Sequence, residues 1–172
     1  MLIKLLGAAC IVIATTKIGL DKARAVRERP KQLRLLKTAL KSLEAEIMYG
    51  HTPLPIICNH LSKQLEGPVG VMFERFASEL TEGNLLVEDA WKRSLDSIWN
   101  KTYLKKPEYE IMLQFGSTIG RHDKYTEQKQ IMLALNHLER EEQEAFELQG
   151  KYEKMYVNLG FLSGLLIALL FV

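Results

Sequence analysis

The sequence predicts an all-α protein, an antiparallel six-helix bundle held between a transmembrane helix at each end. Three observations carry this. Apolar residues recur at three- and four-residue spacing, no segment has the period-two alternation of a half-buried strand, and the longest uncharged stretches lie at the two termini. The expected division is an anchor over 1–20, a soluble helical domain over 21–154 and a second anchor over 155–172. The middle part is long enough to bury one core.

The first anchor reads MLIKLLGAACIVIATTKIGL, with twelve uncharged residues between Lys4 and Lys17. Both lysines are placed to snorkel towards the interface while their stems stay in the apolar layer. A cleaved signal peptide is the competing reading. Against it stand an n-region holding only Lys4 and the poor cleavage context Thr15, Thr16, Lys17. Lipidation at Cys10 fails because the stretch before it is too short for an h-region and Gly7 stands where leucine is required.

Between Lys22 and Lys41 come eight bases, Lys22, Arg24, Arg27, Arg29, Lys31, Arg34, Lys37 and Lys41, against the single acid Glu28. By the positive-inside rule this places the middle domain in the cytoplasm and both termini outside. The same bases suit anionic headgroups, although a solvated helix face has the same pattern.

The first bundle helix is expected after Pro30, with Leu33, Leu36, Leu40, Leu43 and Ile47 as its seam and Gly50 as a left-handed cap. The second takes Thr52 as N-cap and Pro53 as first residue, buries Leu54, Ile57, Cys58, Leu61 and Leu65, and ends at Gly67 and Pro68. The third carries Val69, Met72, Phe73, Phe76 and Leu80 to Gly83. The fourth runs from about Asn84 through Val87, Ala90, Trp91 and Leu95 to Ile98 or Trp99. The fifth starts near Pro107 and buries Ile111, Phe115, Ile119 or their neighbours up to Gly120. Asp123 caps the sixth, which lacks proline and is expected to run on into the second anchor as one helix of up to about 75 Å, with Gly150 as a place to bend. Aligning Gly50 with Gly83 sets Leu54 against Val87 and Ile57 against Ala90, a faint repeat that helix-turn-helix grammar alone would also produce.

The last 18 residues, MYVNLGFLSGLLIALLFV, carry no charge and span about 27 Å as a helix. Tyr152 and Tyr156 beside Lys151 and Lys154 mark the interface. Within this anchor Gly160 and Gly164 lie one turn apart with Ser163 between them. That pattern lets helices approach closely, against the chain's own first anchor or another subunit, and is also tolerated without a role.

Composition excludes some functions. A net charge of +2 gives no general case for nucleic-acid binding. Two distant cysteines, Cys10 and Cys58, make no disulfide framework and fit a reducing compartment. Phosphate-binding glycine loops, GxSxG, HExxH and paired CxxC are absent. Cys58, Asn59 and His60 with His51 lack a second ligand pair, so no metal is assigned. His122 and Asp123 could form an oriented base, but no nucleophile accompanies them and capping explains Asp123. Trp91 and Trp99 share a helix face and read as core or bundle rim. No catalytic residue and no cofactor is assigned. The candidate interaction residues are the basic Arg24, Arg27, Arg29 and Arg34, the acidic Glu141, Glu142 and Glu144, and Gly160 with Gly164.

The strings ERPKQLRLLKTALKSLEAEIMYGHTPL, LQFGSTIGRHDKYTEQKQIMLALNHLEREEQEA and KYEKMYVNLGFLSGLL resemble stage III sporulation protein AB of endospore-forming bacteria over nearly the whole chain. The resemblance implies a role in the sporulation channel linking mother cell and forespore. That family is similar to the F platform protein of type II secretion and type IV pilus systems, a six-helix cytoplasmic bundle beside membrane helices. This chain departs from those platforms in having one bundle and fewer anchors. The resemblance implies a non-enzymatic platform in the mother-cell membrane, with a cytosolic secretion-type ATPase, membrane ring proteins, membrane lipids and a homo-oligomeric second copy as partners. Two alternatives stand beside it: a membrane-tethered lipid- or protein-binding adaptor, and a small membrane enzyme using His122 and Asp123.

Overall fold

The computed structural model describes residues 2–50, 52–83, 85–120 and 124–171, with side chains from Gly7 to Leu170. His51, Asn84, His122 and Asp123 lie outside the described residues, as does the side chain of Lys4. Among the described residues all regular structure is helical: α1 Leu2–Tyr49, α2 Leu54–Gln64, α3 Gly67–Glu82, α4 Val87–Trp99, α5 Lys106–Gly116 and α6 Lys124–Phe171. The chain divides into two compact units, Met1–Pro30 with Glu144–Val172, and Lys31–Gln143.

The helix expected to begin after Pro30 instead continues the N-terminal segment, and α1 runs unbroken through Pro30. A proline inside a helix removes one backbone hydrogen bond and costs about 3 kcal/mol or more. Beyond Pro30, Leu33, Leu36, Leu40 and Leu43 are at most 2% exposed. Burying such side chains contributes about 1.5–3 kcal/mol each, which outweighs the break. Gly50 is not left-handed; its N–H continues the helical pattern to the Glu46 carbonyl at 2.9 Å.

Thr52 is not the cap of α2. Pro53 takes that position, in extended conformation and without a side-chain cap bond, so the helix starts one residue later than expected. Gly67 and Pro68 do not end α2, which closes at Leu65 with its N–H on the Leu61 carbonyl; they form the first turn of α3, Gly67 at φ +67. Gly83 ends α3 in the left-handed conformation, as its position after the apolar run requires. The repeat register superposes helix starts, since Leu54 and Val87 are the first residues of α2 and α4.

The core of the second unit gathers on Trp91, which is fully buried. Phe73, Phe76 and Phe115 meet its ring edge-on at 5.9, 5.0 and 5.2 Å, and its Nε1 donates to the Met112 carbonyl at 2.7 Å. Gly116 makes room for this ring: a Cβ there would lie 2.5 Å from Trp91 Cγ and nearer still to Cδ1. Trp99, half-buried at the rim, meets Tyr109 edge-on at 4.9 Å. Met112, next to Ile111, is buried with Phe115 in α5, and Ile119 just beyond it, as expected. α5 stops at Gly116, short of Gly120, and short turns carry the chain to Gly120, which has φ +75. α6 continues through Gly150 to Phe171 as one helix, as expected.

Candidate interaction surfaces

In the unit that holds Lys31–Gln143, the α1 and α6 residues meet through charge. Arg34 Nε donates to Glu142 Oε1 at 3.0 Å, and Lys37 Nζ donates to Glu142 Oε2 at 2.6 Å and also to Glu139. Gln128 donates to Glu44 at 2.9 Å, so rising α1 numbers face falling α6 numbers. The Lys37 and Glu142 side chains are 12% and 13% exposed, which separates this cluster from ordinary surface pairs. Burial works against the charge on Lys37, yet the hydrogen bonds and charges of Glu139 and Glu142 outweigh it and raise its pKa. Burial likewise works against ionised Glu142, and Lys37 and Arg34 overcome it and hold the carboxyl below its ordinary value. Glu141 is buried and pairs with Arg140 at 3.6 Å.

The other unit repeats the scheme more loosely. Arg29, buried, reaches Glu144 at 3.5 Å, and Arg27 reaches Glu153 at 3.7 Å. Arg24 is exposed and forms no ion pair among the described residues. The named acids and bases therefore mostly face one another within the chain, which leaves fewer of them for partners than their sequence pattern suggests. Spacing could not reveal this, because it requires knowing that residues 27–37 and 139–153 are neighbours.

Gly160 and Gly164 face the first segment of the same chain. A Cβ on Gly160 would lie 2.8 Å from Gly19 Cα and 3.0 Å from the Thr15 carbonyl; one on Gly19 would lie 2.7 Å from the Tyr156 carbonyl. A Cβ on Gly164 would lie 3.0 Å from Val12 Cα, with the Thr15 hydroxyl nearer still. Gly19 was not singled out by sequence, since its spacing motif is incomplete without its neighbours in space. Beside this contact an open groove of about 380 Å³ runs between Ile18, Gly19 and Lys22 on α1 and Tyr156, Leu159 and Ser163 on α6.

Of the residues weighed for chemistry, His51, His122 and Asp123 lie outside the described residues. Cys58 is fully buried, and burial pushes its thiol up to about 12. His60 is exposed beside it, and no group of three metal-ligating side chains occurs among the described residues. A charged residue that sequence reading passed over, Glu108, is fully buried and accepts the Lys105 N–H at 2.8 Å, securing the start of α5. Its signal was a glutamate just after Pro107 at a helix start. Tyr109 donates to Asp96 at 2.6 Å, and that carboxylate with burial pushes its phenol up to about 12.

One helix among the described residues is long and apolar enough to cross a membrane, within Lys124–Leu170, and only 11% of its apolar window is buried. Leu162, Leu165, Leu166, Leu169 and Leu170 are all exposed. The class is thus an all-helical protein whose last helix ends in an uncovered apolar run. The chain matches the family described as stage III sporulation protein AB over residues 4–172, and it belongs to that family. It is 50% identical to stage III sporulation protein AB of Bacillus subtilis (strain 168) over 169 residues, covering 98% of this chain and 99% of that protein. A solved structure of stage III sporulation protein AB (SpoIIIAB) superposes with a TM-score of 0.69 at 48% identity, covering 72% of this chain and 98% of that one.

Proposed function

We propose that this protein is a non-enzymatic platform of the sporulation channel connecting mother cell and forespore, a secretion-like complex needed for forespore development. It sits in the mother-cell membrane facing the forespore, anchored by helices over 1–20 and 155–172. Residues 21–154 form an antiparallel six-helix bundle in the mother-cell cytoplasm. Its partners are a cytosolic secretion-type ATPase and the membrane ring proteins of the same complex.

The observation that carries this reading is the family match over 4–172, which spans the helical middle and the uncovered apolar end together. The basic run after residue 21 supports the orientation. The burial and raised pKa of Cys58 favour a packing role over thiol chemistry for that residue. The test is a pull-down of the full-length protein in detergent against the ATPase and ring proteins encoded with it. Retention of the ATPase or the rings supports the platform. Failure to retain either, with the protein intact and membrane-embedded, overturns it in favour of an adaptor. Loss of sporulation on changing His122 or Asp123 to alanine, at normal abundance, would turn the reading towards an enzyme.

A further inference from the structure

Of the seven bases between Lys22 and Lys37, those beyond Arg24 have partners within the chain: Arg27 with Glu153, Arg29 with Glu144, Arg34 and Lys37 with Glu142, and Lys31 in a contact of its own. Lys22 and Arg24, the two nearest the apolar segment, are exposed and form no ion pair among the described residues. The adjacent acid, Asp21, is exposed and does not pair with either. The unsatisfied positive charge thus collects where α1 would pass from headgroups into hydrocarbon.

Lys22 also lines the groove of about 380 Å³ between α1 and α6. The backbones touch at Gly19 and Gly160, so the flanking Ile18 and Leu159 stand apart, 62% and 54% exposed. The slot between them is walled by apolar carbon along its length. At one end sit Lys22 and Tyr156. A single elongated amphiphile with a negative head fits this distribution: its tail along Ile18 and Leu159, its head against Lys22. Basic pockets between membrane helices on the cytoplasmic side suit anionic lipid headgroups for the same reason.

We propose that this groove is a binding site for one anionic glycerophospholipid, held through its phosphate by Lys22. The inference rests on the reading that both terminal segments lie in the membrane.

The experiment uses full-length protein in detergent, titrated separately with phosphatidylglycerol and phosphatidylcholine and read by native mass spectrometry for retained lipid. Wild type is expected to retain one phosphatidylglycerol in preference to phosphatidylcholine. Lys22→Gln is expected to lower that occupancy about fivefold, the equivalent of about 1 kcal/mol per basic residue. Ser163→Phe, which fills the slot without changing charge, is expected to abolish it, whereas Lys41→Gln, a charge loss outside the groove, leaves it unchanged. Equal retention of both lipids, or an equal fall with Lys41→Gln and Lys22→Gln, overturns the site while leaving the membrane reading intact. Release of the protein from membranes by alkaline carbonate overturns both.

Discussion

Replacing Gly116 by alanine tests whether Trp91 is locked in place. In an ordinary helix interior the change would stabilise by about 0.5–1 kcal/mol. Here the new methyl would sit 2.5 Å from Trp91 Cγ and Nε1, at least 1 Å inside the ordinary contact distance of about 3.5 Å. The ring has no free direction: Phe73, Phe76 and Phe115 crowd its edges, and its Nε1 is committed to Met112. Overpacking costs about 1–3 kcal/mol, and a stranded indole N–H costs about 1–3 kcal/mol more. After the propensity gain, a net destabilisation of about 1–5 kcal/mol is expected, a fall in Tm of roughly 2–20 °C for a chain this size. Both tryptophans lie in α4, so their fluorescence during heating of the detergent-solubilised protein reports this unit directly. The contrast is Gly150→Ala in α6, where nothing lies within 4 Å of the added carbon, and a gain of about 0.5–1 kcal/mol is expected. If Gly116→Ala melted within 2 °C of wild type, or above it, the locked-ring argument would be wrong.

Three further outcomes are expected. A Cβ on Gly164 would lie 3.4 Å from Thr15 Cβ, close to the roughly 3.5–4.5 Å span of a disulfide, so Thr15→Cys with Gly164→Cys should cross-link on mild oxidation and resist maleimide. Gly160→Leu should suppress that cross-link, and an unaffected yield would show that the glycine contact does not set the helix spacing. In a Cys10→Ser background, Cys58 should react with maleimide at pH 8 only after denaturation, given its burial and raised pKa; prompt labelling of that native variant would count against a closed core. For the charge cluster the pH signs are opposite at the two ends. Glu142, depressed, stabilises above its unfolded value of about 4.3 and loses this as pH falls through its folded value; Lys37, raised, stabilises below about 10.4 and loses this as pH rises through its folded value. Urea midpoints should therefore be flat near neutrality and fall at both extremes, and Glu142→Gln should remove the acid-side slope while costing about 1.5–3 kcal/mol at pH 7.

The amphipathic seams were legible because period and burial are the same physics: Leu33, Leu36, Leu40 and Leu43 in α1 and Val69, Met72, Phe73 and Phe76 in α3 are all buried. Helix ends were less legible. Pro30 reads as a boundary because local sequence registers its missing N–H but not the buried leucines beyond it. Gly67 and Pro68 read as a stop, yet they serve equally well as a first turn, and only the close of α2 at Leu65 decides. The Gly160 and Gly164 pair was visible as a motif, but its partner Gly19 lies 141 positions from Gly160 and carries no local mark. The charge runs were visible and their mutual neutralisation was not, so Lys22 and Arg24 stand out only in three dimensions.

The pairing of α1 with α6 also governs when the chain can fold. Arg34 and Lys37 find their acids 102–108 residues later in sequence. Closing a loop of that length costs about 4 kcal/mol in chain entropy, to be met before the contacts it enables can form. At synthesis rates of about 5–20 residues per second, Arg34 and Lys37 emerge roughly 5–20 s before those acids exist. Throughout that interval the nascent chain carries these bases without the acids that neutralise them. A stop codon placed before Glu139 therefore leaves Arg34 and Lys37 permanently without their acids.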